Sequence, residues 1–412
     1  VFDLTAGNNF VSLAIIIGGV QQAFRKKFQI PGAPRNSREM FKPETLPGTG
    51  LTLAVIAKNE EQSIQRCLGS ARAIATEMVV VDTGSTDKTQ KLAKEAGARV
   101  FEEPWRDDFS AARNRSLREA TGKWILVLDA DEFLPPKSAA AIARLLDQTP
   151  SPDRAFHLIN KSSSDSGRTG ASGLIVRLFP NLPEIRYEWP IHEQVVTSIQ
   201  RAGLQIVDTA IEIIHTGYTD SSTNAAKQTR NLRILEKFIA DNPSPHPMAL
   251  FLQGGALLDL SRIGEARLAY SRAMSLSKPG DIVHEAARVR LADCLFSQKD
   301  FEAIFAMNPP MPRAEWHPDL LVLMGQASVA LGETQVGLSF FKEALVSKAK
   351  PRIPAYDPVR TAIRAVMGIA SLFEKTDPRR AVMLLRLATE SAQTGIPVSL
   401  SRVADVEAEH TP

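Results

Sequence analysis

The apolar positions of this chain fall into two regimes. From residue 51, short apolar runs of strand length recur: LTLAVIA (51–57), MVVVD (78–82), ARVFE (98–102) and WILVLD (124–129). Between the first two, Ile64, Cys67, Leu68 and Ala71 recur at helical spacing. Asn59 follows the first run as a helix N-cap, with Glu60 and Glu61 in a first turn where the helix dipole favours anions. TGSTDKTQKLAKEAG (83–97) and FSAARNRSLREATG (109–122) supply a turn and two further helices, each stopped near a glycine. Strand, helix, strand at this spacing predicts parallel strands joined by crossover helices, a sheet covered on both faces. Ligands of such sheets bind beyond the carboxyl ends of the strands. Asp82 and Asp129 stand at two of those ends.

After residue 150 the runs shorten to RAFHLIN (154–160), GLIVRLF (173–179) and LQIVDTAIEIIH (204–215). Between the first two, KSSSDSGRTGASG (161–173) reads as a loop of the kind that sits over active sites. From about residue 225 the period is helical to the end. The stretch 248–280 has tetratricopeptide spacing, with Leu250, Gly254 and Leu257 on one helix and Ala266, Tyr270 and Ala273 on the next. The register returns at Leu321, Gly325, Gly337, Phe341 and Ala344, with a degenerate copy between (Leu291, Cys294, Ala303, Met307). Small residues there let antiparallel helices approach, and large ones fill the gap. Stacked helical hairpins are expected. The domains are therefore a leader and linker at 1–50, an α/β domain at 51–224 and a helical repeat domain at 225–412.

Bulk properties narrow the function classes little. The 412 residues are 44% hydrophobic and 23% charged, and 49 basic against 46 acidic residues leave a net charge of +3, too small a field to point to nucleic acid. Two distant cysteines, Cys67 and Cys294, offer neither a disulfide framework nor a zinc site, which suits a reducing, cytoplasmic setting. FVSLAIIIGGVQQAF (10–24), with Arg25, Lys26 and Lys27 after it, is too short in its unbroken part to span a bilayer and has its charge on the wrong side for a signal peptide. Either an interfacial helix at the inner face of the membrane or a self-packed leader fits it.

The sharpest chemistry is at the end of WILVLDADEF (124–133), where Asp129, Asp131 and Glu132 crowd one strand end. Mutual repulsion calls for a positive partner. If the extended conformation persists, Asp129 and Asp131 face one way and share a hard cation. Oxygen ligands suit Mg2+ or Mn2+, with substrate phosphates completing the shell. Asp82 before a Gly-Ser-Thr-Asp turn offers an acceptor for a base or ribose. Arg113, on the helix before the acidic strand, suits phosphate or a nucleobase edge. His192, Glu193 and His215 lie on later segments able to return over the cleft.

LAVIAKNEEQSIQRCLGS, VVVDTGSTDKT, DDFSAARNRSL, ATGKWILVLDADEF, RLFP and IHEQ, in this order and spacing, resemble family 2 glycosyltransferases of the GT-A fold, in the subset that carries tetratricopeptide repeats after the catalytic domain. The likeness covers roughly residues 51–218 and, in kind, the helical tail. It implies a GT-A (Rossmann-like, mostly parallel) domain followed by an all-α repeat domain. It implies metal-dependent transfer of a sugar from a nucleoside-diphosphate sugar to a saccharide, lipid or peptide acceptor, with inversion. By position, Asp82 would contact the base, Arg113 the base and phosphates, Asp129 the ribose and metal, and Asp131 the metal directly. Asn59 joins the nucleotide-sugar set, and His215 is a candidate to complete the metal shell. Glu193 is the candidate base and Glu132 the reserve. Relatives often read Asp-Asp-Gly-Ser where this chain has Asp82-Thr83-Gly84-Ser85, which leaves the preferred base open.

Haloacid-dehalogenase-like phosphatases also carry Asp-x-Asp after an apolar strand, but at the domain start. Here two strand–helix units precede it, and Glu132 and Phe133 follow where that class favours Thr or Val. No Gly-rich triphosphate loop near residue 51 supports a nucleotidyltransferase. The non-enzymatic alternative is a protein-binding scaffold of repeats beside an inactive nucleotide-binding domain. Metal-dependent hydrolysis of sugar nucleotides separates the two.

Overall fold

The computed structural model describes residues 50–149, 151–163, 169–216, 221–307, 309, 312–347 and 357–409. The apolar segment 10–24, the linker, the loop centre 164–168 and Gly217–Tyr218 lie outside the described residues. The chain divides into two compact units, 1–221 and 222–412.

The first unit is built on one mixed sheet. Strands β1 (Leu51–Ala57), β2 (Glu77–Asp82), β3 (Arg99–Glu102) and β4 (Trp124–Asp129) alternate with helices α1 (Ile64–Ala71), α2 (Thr89–Glu95) and α3 (Phe109–Glu119). A two-residue strand β5 (Glu132–Phe133), helix α4 (Pro136–Asp147), long strands β6 (Arg154–Ser163) and β7 (Thr169–Pro180), helix α5 (Val196–Arg201) and strand β8 (Gln205–His215) complete it. The order is β3-β2-β1-β4-β7-β6-β8-β5. The first four strands are mutually parallel, as the crossover spacing predicts. Strand β7 enters antiparallel to β4 and β6, while β8 runs parallel to β6.

Alternation along the parallel strands divides the core between two faces. Leu53, Val55, Leu126 and Leu128 pack with Ile64, Leu68 and Ile142 from α1 and α4. Ala54, Ile125 and Val127 pack with Ile199 of α5 and Leu117 of α3. These residues are all but inaccessible apart from Leu117, and each large side chain so buried contributes about 1.5–3 kcal/mol. Register then fixes the site: Asp82 pairs with Ala57, and Asp129 with Ile56, so the carboxyl ends of β2, β1 and β4 lie level.

Two local expectations change. Helix α1 starts at Ile64 behind Ser63, not behind Asn59, and Glu60 and Glu61 precede it. Asn59 adopts a left-handed backbone (φ 57°) instead and stitches two loops together: its N–H donates to Ser85 Oγ at 2.9 Å, and its Oδ1 accepts from Thr86 N at 2.8 Å. Strand β4 ends at Asp129, and Ala130 and Asp131 form a turn, so strand alternation does not set the facing of the two aspartates.

The second unit is helical, from α6 (Ser221–Ala240) onward. Hairpins α7 (Pro247–Asp259)/α8 (Ile263–Ser275), α9 (Ile282–Ser297)/α10 (Phe301–Ala306), α11 (Pro318–Ala330)/α12 (Thr334–Val346) and α13 (Pro358–Phe373)/α14 (Pro378–Thr394) pack in series, before α15 (Leu400–Glu409). Glycines permit the close approach: a Cβ on Gly254 would stand 2.6 Å from the Tyr270 ring, and one on Gly325 2.6 Å from that of Phe341. Among the described residues, no helix is long and apolar enough to cross a membrane.

Candidate active site

The Asp82 loop is shaped by its own carboxylate. Oδ1 accepts from the backbone N–H of Gly84 (3.0 Å) and Ser85 (2.8 Å) and from Gln90 Nε2 (3.1 Å), in a turn whose Gly84 has φ 104°. The other oxygen, Oδ2, is buried with no hydrogen-bond partner among the described residues. A buried carboxylate oxygen left without a donor is costly, about 1–3 kcal/mol or more, and calls for a group the protein does not supply.

At the end of β4 the positive charge expected among the acids is supplied by the protein itself. Arg113 reaches Asp129 Oδ1 through Nη2 at 2.6 Å, and Arg177 reaches Oδ2 through its own Nη2 at 2.7 Å. Burial pulls the Asp129 carboxyl pKa upward, but the two guanidiniums outweigh it and hold the group far below the usual carboxylate range. Arg113 is 6% exposed, lies over the Tyr187 ring at 5.3 Å, and donates through Nε to Glu193 Oε1 at 2.6 Å. One guanidinium thus joins the first acid of the strand end to the candidate base. Its Nη1, like Tyr187 Oη, is buried and unpartnered among the described residues.

Glu193 comes to this position because the segment after β7 folds back onto α3. Asn114 grips the Tyr187 backbone from both sides (2.9 and 2.8 Å), Phe109 N–H donates to Pro190 O at 2.8 Å, and Glu188 and Gln194 close a backbone bridge. Trp189 (φ 81°) and His192 (φ 53°) turn the tip with left-handed backbones, which L-residues adopt only under constraint. Burial lowers the His192 pKa, against the opposing charge of Glu193.

Glu132 is 1% exposed and fully engaged: Oε2 accepts from Asp129 N–H at 2.9 Å, and Oε1 from Asn160 Nδ2 at 2.6 Å and Arg177 Nη2 at 3.1 Å. Burial nonetheless raises its pKa, Arg177 opposing and Asp129 adding to the rise. Asp131 and His215 come together, Oδ1 to Nδ1 at 3.4 Å, as strand β5 pairs with β8 at Glu132–His215. Among the described residues, no three His, Cys, Asp or Glu side chains form a metal cage. A partly exposed carboxylate beside an imidazole does fit a divalent ion that draws its remaining ligands from a diphosphate and water. Arg177, Asn160 and Tyr187 are the members of this site that motif reading did not single out as ligands or partners. The signal was a lone arginine inside the apolar run LIVRLF.

This geometry coincides with a family match. Residues 52–199 fit the model of Glycosyl transferase family 2, so the α/β unit carries a glycosyltransferase domain of that family, ahead of a helical repeat region. Over 260 residues the chain is 33% identical to a TPR repeat-containing protein of Synechococcus elongatus, covering 61% of this chain and 63% of that one. It is 26% identical to the SPbeta prophage-derived glycosyltransferase SunS of Bacillus subtilis, covering 52% of this chain and 51% of that one. The chain thus spans only about half to two thirds of these relatives' length. Among solved structures it is similar to glucosyl-3-phosphoglycerate synthase from Mycobacterium tuberculosis in complex with Mn2+, UDP and glucosyl-3-phosphoglycerate, at a TM-score of 0.33 and 20% identity over 45% of this chain and 78% of that one. The expected architecture, a Rossmann-like α/β unit followed by an all-α unit, agrees with the sheet order and the helices described above.

Proposed function

We propose that residues 51–224 form a metal-dependent glycosyltransferase that moves a sugar from a nucleoside-diphosphate donor to an acceptor hydroxyl or amide, with inversion. One observation carries the reading: Asp82 and Asp129 end β2 and β4, the parallel strands on either side of β1, at one level, with Asp131 in the turn just beyond and the Arg113 guanidinium buried against Asp129. The unpartnered Asp82 Oδ2 is suited to accept an N–H from a nucleobase. Arg113 offers Nη1 toward the donor while its other nitrogens orient Asp129 and Glu193. Asp131, with His215, would hold Mg2+ or Mn2+, and such an ion offsets the charge of a departing diphosphate.

Inversion by single displacement needs a base within reach of the acceptor proton. Glu193 suits the role better than Glu132, because Glu132 is buried and already takes three hydrogen bonds. The Arg113 contact fixes the Glu193 carboxylate in place, Nε to Oε1 at 2.6 Å. For the helical unit, the reading is contact with an acceptor protein or with another copy of the chain, through its stacked hairpins. Hydrolysis of a panel of sugar nucleotides with and without Mn2+ tests the proposal. Ion-dependent release of nucleoside diphosphate supports it; a folded chain that neither cleaves nor binds any donor refutes it in favour of the scaffold.

A further inference from the structure

Asp129 and Glu132 flank the Ala130–Asp131 turn, and a single nitrogen ties them together. Arg177 Nη2 donates to Asp129 Oδ2 at 2.7 Å and to Glu132 Oε1 at 3.1 Å. Glu132 closes the loop from the other side, its Oε2 taking the Asp129 backbone N–H at 2.9 Å, while Asn160 from β6 steadies Oε1 at 2.6 Å. The carbonyl of Asp131 is fixed in turn by the N–H and hydroxyl of Thr216, at 3.1 and 3.0 Å. The Asp131 carboxylate is partly exposed, its side chain 26% accessible, and lies 3.4 Å from His215 Nδ1. The acid that looked redundant in the sequence is a strut.

We propose that Arg177, acting through Asp129 and Glu132 with Asn160 steadying the latter, is a positioning residue that sets the turn presenting Asp131 and so tunes affinity for a divalent ion it does not touch. The inference rests on the reading of Asp131 as a metal ligand. Two features favour positioning over bulk stabilisation. Arg177 is 3% exposed and enters from antiparallel β7, outside the parallel half that carries the other strand-end residues, and its contacts converge on the turn. The reach of the side chain also matters: a lysine keeps the charge but places its ammonium short of where Nη2 stands between the two carboxylates.

The test is titration of the full chain with Mn2+ alone, followed by loss of the free-ion paramagnetic signal, for wild type, Arg177→Lys and Asn160→Ala. Melting temperature is measured in parallel without metal. The expected result is about tenfold or greater weakening in Arg177→Lys, the scale seen when groups supporting a metal ligand are changed, and a smaller loss in Asn160→Ala. Asn160→Ala removes one donor but unpairs no charge, so it decides the matter should Arg177→Lys fail to fold. Wild-type affinity in the folded variants overturns the clamp while leaving the metal reading intact. No Mn2+ uptake by the wild-type chain overturns both.

Discussion

Arg113 joins α3, the end of β4 and the returning segment at Glu193 through one side chain. Removing it strips Glu193, whose side chain is 12% exposed, of its cation and leaves Asp129, 31% exposed, with Arg177 alone. The loss is therefore expected to fall below the roughly 3–5 kcal/mol of a fully buried broken pair. Subtler substitutions separate roles. Asp131→Ala is expected to abolish Mn2+- or Mg2+-dependent donor cleavage while melting within a few degrees of wild type, because its side chain is partly exposed. Glu193→Gln is expected to lower kcat by about 10²–10⁴-fold with donor affinity nearly unchanged; a comparable loss of donor binding would assign Glu193 to the donor instead. Asp82, Arg113, Asp129 and Asp131 were legible as candidates because each is a polar group at a strand end or on the helix beside one. Their pairings were not. Arg113 meets Glu193 across 80 positions, and Arg177 meets Asp129 across 48, separations no local pattern reports.

At the scale of elements, strand and helix periods were legible over much of the described residues; the errors lie at junctions and in the stretch 161–173, which reads as a loop but pairs as strand at 161–163 and 169–173. Asn59 reads as a cap by type, yet side-chain bonds to the neighbouring Ser85–Thr86 loop outcompete that role. The acidic run ending β4 reads as extended strand, yet Glu132 folds back on Asp129 N–H and closes a turn. A charge cluster elsewhere on the sheet gives a pH test. Lys137 and Lys161 hold Glu212 on β8 by hydrogen bonds that lower its pKa to about 2. A depressed carboxyl pKa stabilises above the unfolded value, near 4.3, and that stability fades as pH falls through about 2. Glu212→Gln is therefore expected to melt below wild type at neutral pH, and the difference should shrink toward pH 2; a gap that persists there would contradict the assignment. In the helical unit, Phe341 of α12 fills space left by Gly325 on α11 and Gly368 on α13. Gly325→Ala should destabilise that unit by about 1–3 kcal/mol through overpacking, read by chemical denaturation.

For the whole molecule, two compact units meeting in sequence at Ser221–Ser222 predict two thermal transitions. Mn2+ with a cognate sugar nucleotide at a hundredfold over its Kd is expected to stabilise the first unit by about 2.7 kcal/mol and leave the second where it was. A single transition that moves as one would show that the units unfold together. Truncation from Pro243 onward should preserve donor cleavage and impair use of the acceptor; unchanged acceptor use would remove the helical unit from the reaction.

The arginines around Asp129 carry one last consequence. Since the fold brings its own counter-charges, the domain does not depend on a captured ion for its integrity, and stripping divalent ions with a chelator should leave its melting point untouched. On the proposed reading, an ion held at Asp131 and His215 would be an addition to a finished fold, one that can be withdrawn and replaced without unfolding the sheet beneath it.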